Sequence, residues 1–157
     1  MTGATAAEHV AYTGASAAFE AMLRERHFGH RGVAYAGRSF RVYPSMSVGD
    51  AVRFYGAINP EWQLDRLEAD LALVSLGENF EVRRLKRAYQ RSLVLAFAAA
   101  TSPELLVVEG AEEFDDERTE ALLARVLGRV PRSYATYAAG VTHPSEPAGR
   151  AVAAVLP

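Results

Sequence analysis

The 157-residue chain has no cysteine and a single lysine. Without thiols there is no disulfide framework, no cysteine-ligated zinc and no thiol nucleophile. The one lysine, Lys86, lies inside the basic run Arg83-Arg84-Leu85-Lys86-Arg87. Long apolar runs are missing as well: the longest, Leu93 to Ala100, falls far short of the roughly 18 residues a membrane span needs. No segment near residue 1 has the charged start and apolar core of a signal peptide. A cytoplasmic, alanine-rich bacterial protein with no direct membrane insertion is expected. The charge is nearly balanced, 17 basic against 19 acidic residues for a net of -2. That balance supplies no field for nucleic acid, so no nucleic-acid partner is expected. Of the histidines at 9, 27, 30 and 143, only His27 and His30 are close in sequence, and no third ligand stands nearby. Neither a metal nor a cofactor is expected.

What is present is a half-hydrophobic chain able to bury one sizeable core, read as a single domain over 1–157. Short strands are expected at His9 to Thr13 and Gly32 to Ala36, with a helix between them from Ala15 to Arg26. Ser47 followed three residues later by Asp50 marks a capped helix start, running to about Ile58 and stopped by Asn59-Pro60. Glu61 to Leu76 carries Leu64, Leu67, Leu71 and Val74 at helical spacing, which predicts one buried face. Arg91 to Thr101 and Glu117 to Arg129 read as helices, and Glu104 to Val108, Ser133 to Val141 and Ala151 to Leu156 as strands. Strands alternating with helices predict an α/β three-layer sandwich with a mostly parallel sheet and a small helical subdomain at about 47–101.

Chemistry concentrates around SPELLVVEGAEEFDD, Ser102 to Asp116. An apolar strand that delivers carboxylates at its end is the form of a buried parallel strand feeding a site at its carboxyl end. The longer segment Leu85 to Asp116, LKRAYQRSLVLAFAAATSPELLVVEGAEEFDD, resembles ATP-binding cassette ATPases from their signature motif to the Walker B strand and D-loop. There the pattern is L-S-G-G-Q, an apolar helix, then P-x-L-L-L-L-D-E-P-T-x-x-L-D. Upstream, GVAYAGRSFRVYPSMSVGDAVRFYGAI is similar to the family's Q-loop strand and the start of its helical subdomain. The resemblance implies a truncated cassette-ATPase fold of the P-loop NTPase superfamily.

The departures from that pattern are as informative. A P-loop is G-x-x-x-x-G-K-[ST], whose amides and lysine cradle phosphate. Here the corresponding stretch is Gly14-Ala15-Ser16-Ala17-Ala18-Phe19-Glu20, with no second glycine, no lysine, and a glutamate that would repel phosphate. Glu109 stands for the Walker B aspartate and Gly110 for the catalytic glutamate, whose loss costs on the order of 10²–10⁴ in rate. Lys86, Arg87 and Ala88 fall within the signature motif, Arg38 at the Q-loop glutamine, Asp116 at the D-loop aspartate and His143 at the switch histidine. Each has a plainer reading: Glu109 as a solvated structural acid, the run Glu112 to Glu117 as a solvated loop, Arg83 to Arg91 as a surface patch, and His143 as a loop residue.

The resemblance implies a catalytically inactive homologue, a non-hydrolysing structural or regulatory subunit of an export complex. Its partners would be a membrane permease, an active cassette ATPase, or both, holding it at the inner face of the membrane. The surface expected to dock them is the groove of Phe40, Arg41, Tyr43 and Met46, mixed aromatic, methionine and arginine in character. A free-standing regulatory module and a weak nucleotide-binding subunit are the alternatives.

Overall fold

In the computed structural model of the chain, residues 8–14, 16–27, 29–38 and 42–138 are described in full and 151–154 as backbone. The order is β1 (Glu8–Thr13), α1 (Ala17–His27), β2 (Val33–Ala36), α2 (Val48–Ile58), α3 (Leu64–Leu73), α4 (Arg87–Ala100), β3 (Leu105–Val108), α5 (Glu117–Arg129), β4 (Arg132–Tyr137) and β5 (Ala151–Ala154). Short 3-10 turns stand at Val82–Arg84 and Ala111–Glu113. The described strands form one sheet in the order β2-β3-β4-β1-β5, with every neighbouring pair parallel. Parallel neighbours need crossover connections, which the helices provide. The step from β1 to β2 passes over two strands, so the carboxyl ends of β1, β4, β3 and β2 line one rim of the sheet, where ligands of such folds gather.

Strand β3 shows why there are three layers. All four of its residues are buried, as a strand covered on both faces requires. Leu105 and Val107 join Leu23 of α1, with Phe19, Val33, Tyr35 and Tyr134 packed around them. Leu106 and Val108 face the other way, into the larger core with Leu93, Phe97, Leu122 and Val126 of α4 and α5. Helix α5 presents Leu122, Leu123, Val126 and Leu127, each at most 5% exposed, at the expected spacing.

Local signals set most helix ends. Ser47 caps α2, its hydroxyl accepting the Asp50 amide at 3.0 Å. Asp116 and Thr119 form a reciprocal capping box at the start of α5. Helix α3 is shorter than the expected 61–76. Trp62 leaves the helical path to pack on Phe97, ring centroids 4.9 Å apart, and the Gln63 amide bonds the Ala100 carbonyl. At the other end Ser75 turns left-handed (φ 55°), and the Leu76 and Ser75 amides bond the carbonyls of Leu71 and Ala72, the Schellman pattern.

The buried face of α3 also differs from expectation. Leu67, Leu71 and Val74 are buried, whereas Leu64 is 47% exposed. Between them sits the wholly buried Asp70, which accepts from Arg129 Nη1 at 3.0 Å and staples α3 to α5. Helix α4 begins at Arg87, a turn earlier than Arg91, so the run expected to be a signature-like loop supplies its first turn.

Candidate functional site

At the carboxyl rim, loops following β1, β2 and β3 and the end of β4 bring four carboxylates against four guanidinium groups. Arg38, just after β2, lies at the centre. Its Nε donates to Glu20 of α1 at 3.1 Å, its Nη1 to Glu113 at 2.8 Å and its Nη2 to Glu112 at 2.6 Å. Arg87, from the first turn of α4, bonds Glu113 with its Nε and donates to the Arg38 carbonyl at 2.9 Å. Burial opposes the charge on Arg38, but the hydrogen bonds and fields of Glu112 and Glu20 outweigh it and raise its pKa. Burial likewise opposes ionisation of Glu113. The bond from Arg87 and the neighbouring guanidinium charges prevail, and its pKa is lowered.

Gly110 makes this arrangement possible. It stands at φ 64°, a left-handed conformation that side chains disfavour, and a Cβ there would collide with the Arg38 guanidinium. Its amide donates to Thr136 Oγ1 at 2.9 Å, and that hydroxyl donates to Glu20 Oε1 at 2.8 Å. The sequence position that resembles the catalytic glutamate therefore lies against the Arg38 guanidinium.

Glu109 is not the solvated acid of the simpler reading. Its side chain is wholly buried and accepts twice from Arg24 Nη2, at 3.2 and 3.0 Å, which raises the Arg24 pKa, first through that hydrogen bond. Tyr35, beside the pair, is pushed up to about 12, by burial and then by the Glu109 charge. Nor are Glu112 and Glu113 a solvated loop: both side chains are 18% exposed and ion-paired. The basic run is not uniformly surface either. Arg91 is 2% exposed and gives its Nη groups to the carbonyls of Gly37, Ala36 and Glu109, with its guanidinium 5.5 Å from the Phe114 ring.

Around the start of α1, several described groups of the segment resembling a P-loop already have partners in the protein. The Gly14 amide bonds the Tyr137 carbonyl at 3.0 Å, Ser16 Oγ accepts the Phe19 amide at 3.2 Å, and Glu20 places its carboxylate in the helix's first turn. A negative group there complements the positive end of the helix dipole.

The structure thus gathers Arg38, Glu109, Gly110 and Arg87 at one rim. Lys86 is exposed at the N-cap of α4 and Ala88 is buried in that helix. Asp116 is spent on capping α5, and its pKa is lowered, first by the Thr119 amide and also by the Tyr89 hydroxyl. His143, Phe40 and Arg41 lie outside the described residues. Tyr43 is 56% exposed and stacks against Tyr55 and Phe54, but Met46 packs against the main core instead of sharing that surface. His27 and His30 have ring centroids 6.5 Å apart, and among the described residues no group of three metal-ligating side chains occurs. No helix of the described residues is long and apolar enough to cross a membrane.

Sequence reasoning missed Arg24, Glu113, Arg91 and Thr136 as members of the rim, because their partners are up to 116 positions away. It also missed a concavity on the helical lobe. A groove of about 780 Å³ runs between α2 and α3, lined by Val48, Val52, Ala57, Leu64, Leu71 and Leu76. Small residues on α2, Gly49 and Gly56 seven apart, form part of its wall and were the available signal.

No protein-family model and no curated protein sequence matches the chain. Solved structures do. An ATP-binding subunit of an ABC transporter superposes with a TM-score of 0.65 at 16% identity, over 83% of this chain and 68% of that one. A bacterial ABC transporter cassette solved as a dimer gives 0.62 at 14%, covering 83% and 75%. The cbiO1 protein of Clostridium perfringens, part of the ABC transporter complex cbiONQ, gives 0.60 at 15%, covering 83% and 67%. With the signature-to-D-loop order read along the sequence and the β2-β3-β4-β1-β5 sheet built from it, these likenesses establish that the chain has the fold of ABC transporter ATPase domains.

Proposed function

We propose that the chain is a non-hydrolysing subunit of an ABC-type export complex, in which an ionic lock stands where relatives of this fold would handle nucleotide. The observation that carries this is Arg38, whose guanidinium lies against Gly110 and is held by Glu20, Glu112 and Glu113. The residues present do not fit magnesium and a nucleotide triphosphate. Glu109 is engaged by Arg24, Gly110 offers no carboxylate, Glu20 would repel phosphate, and Lys86 is the exposed N-cap of α4, on a different element from the loop after β1. Phosphate cradles need converging amides and a cation, and water activation needs a positioned base. Among the described residues neither set of groups is gathered at this rim, which supports the reading.

With nucleotide chemistry set aside, the work falls to surfaces. The groove between α2 and α3 is concave and mainly apolar, with Arg53, Glu68 and Glu78 also in its wall and Leu64 exposed, and the exposed pair Tyr43 and Phe54 stands on the same lobe. An apolar helical segment of a permease or of an active cassette ATPase suits such a groove by the helix-in-groove mode. A partner of this kind would hold the subunit in the cytoplasm at the membrane's inner face. The cbiO1 structure belongs to an assembly named as a transporter complex, which supports the analogy.

The test is calorimetry of the full chain with ATP and magnesium. No binding tighter than about millimolar is expected, since a phosphate must displace Glu20 and Arg38 from each other. Micromolar binding, or turnover above the buffer rate, would sink the proposal.

A further inference from the structure

The groove on the helical lobe has two walls of matching period. Helix α2 lines it with Gly49, Val52, Arg53, Gly56 and Ala57, and α3 with Leu64, Glu68, Leu71 and Ala72. Both sets contain the spacing i, i+4, i+7 and i+8, so one face of each helix is turned to the groove. From first residue to last, each wall runs about 12 Å at the helical rise per residue. At one end the Gly49 amide donates to the Glu78 carbonyl at 2.9 Å, and a Cβ on Gly49 would stand 3.0 Å from Glu78 Cβ. At the other end a Cβ on Gly56 would meet Leu64 Cδ2 at 3.6 Å. The result is a trough with small residues along its walls, Gly56, Ala57 and Ala72, and buried Leu71 and Leu76 beneath.

Charge decides what such a trough can receive. Among the described residues three charged side chains belong to its lining, Arg53, Glu68 and Glu78. Arg53 is matched on its own helix, where its Nη2 donates at 2.8 Å to Asp50, which is not a lining residue. Glu68 and Glu78 are exposed, and among the described residues neither enters an ion pair. Two carboxylates without counter-charges therefore border apolar surface, the reverse of the rim, where Glu20, Glu112 and Glu113 are all held by arginine. Interfaces form between complementary potentials, so this field disfavours phosphate, a free fatty acid and an anionic membrane surface. It also disfavours a second copy of the chain, because a two-fold contact would set the same acidic patch against itself.

We infer that the groove receives a basic amphipathic helix of a partner protein, about three turns long, with its apolar stripe between α2 and α3 and its lysine or arginine side chains against Glu68 and Glu78. Two parallel strips of helix surface about 12 Å long match the length of such a segment. Helices that dock in grooves do so through anchors at i, i+3, i+4 and i+7, and the small wall residues leave room for large anchors. Long basic side chains can lay their aliphatic stems on the apolar wall while their charged ends reach the carboxylates. The inference rests on the proposed docking of a partner at this groove and adds the charge and shape of what docks. It does not depend on whether the chain hydrolyses nucleotide.

The test is fluorescence anisotropy of the full chain with two side-chain-stapled helical peptides that share leucines at i, i+3, i+4 and i+7. One carries lysines beside that stripe and its twin carries glutamates at the same positions. The lysine peptide is expected to saturate, and the twin to bind at least tenfold more weakly. In the double variant Glu68→Gln with Glu78→Gln, which changes only exposed side chains, the two peptides should come within about threefold of each other at low salt. Ala72→Trp, which fills the trough from an exposed position, should abolish binding of both with the circular dichroism unchanged. Equal binding of the twins, lost in Ala72→Trp, would overturn the charge preference and leave the groove a docking site. No binding by either would overturn the inference together with the docking reading beneath it. A lysine peptide with scrambled leucines that binds as well as the ordered one would assign the effect to charge alone and overturn the helical match. Sedimentation showing a dimer that Ala72→Trp dissociates would give the groove to a second copy, which also overturns it. Micromolar ATP binding would sink the non-hydrolysing reading and leave these outcomes untouched.

Discussion

The carboxyl rim of the sheet and the α2–α3 groove are opposites. At the rim, charges from α1, α4 and the loops after β2 and β3 pair with one another, with Arg38 bonded to Glu20, Glu112 and Glu113 at the centre. In the groove, apolar side chains line about 780 Å³ and Leu64 stays exposed. A region most of whose polar groups are paired internally can contribute stability and specificity, but it has few bonds left for a ligand. A region that keeps apolar surface in water has binding free energy still to gain. The contrast supports the proposal that a partner docks on the helical lobe.

Restoring a side chain at the rim should break its half of the contrast most severely. Gly110→Glu places a Cβ in the space of the Arg38 guanidinium and forces a non-glycine residue into φ 64°. The left-handed conformation alone costs roughly 1–2 kcal/mol, and scattering the Arg38 bonds adds roughly 1–3 kcal/mol. Thermal denaturation should show a fall of about 5–15 °C at ~2–4 °C per kcal/mol for a chain of this size. No ATPase activity should appear. A stable variant that hydrolyses ATP would mean the rim is a dormant catalytic site and not a lock.

Acid should loosen the rim next. The pKa values of Glu113 and Asp116 are depressed in the fold, so each contributes stability that is fully present above the ordinary carboxylate range and is lost as pH falls through the folded value. Chemical denaturation between pH 7 and pH 3 should therefore show stability declining only below about pH 5. Replacing Arg38 with Met removes a counter-charge from Glu113, so its folded pKa moves back toward the ordinary carboxylate value and the decline should become shallower. An unshifted profile would show that Arg38 contributes no field at the rim.

The smallest effect on stability should come from the other region. Tyr43→Ala with Phe54→Ala, and Leu64→Ser in a separate variant, alter groups 42–56% exposed, and each should change unfolding free energy by no more than about 0.5 kcal/mol per site. If the lobe binds a partner, co-purification with that partner should fall by the ~2–4 kcal/mol typical of anchor residues. A large loss of stability with unchanged association would instead assign these side chains to the core.

Which parts were legible in the sequence follows from the range of the forces involved. Helix α5 runs from Glu117 to Arg129 as its periodicity requires, α2 starts at Ser47's cap, and β3 is buried on both faces as Leu105-Leu106-Val107-Val108 suggests. The helix features depend on contacts within about four residues, and the strand's double burial on an unbroken apolar run, so a linear reading contains them. Element order, read together, also carried the fold.

Charge pairing was decided only by tertiary structure. Glu109 and Arg24 are 85 positions apart, and Arg38 reaches Glu20 at 18 and Glu113 at 75. Long charged side chains can serve many partners, and only the packing of α1 and α4 against the sheet selects among them. Leu64 shows the same limit for an apolar residue: it keeps the spacing of Leu67 and Leu71, yet its side chain meets the groove instead of a neighbouring element. Periodicity states which residues share a face of a helix, and whether anything covers that face depends on where the next helix lies.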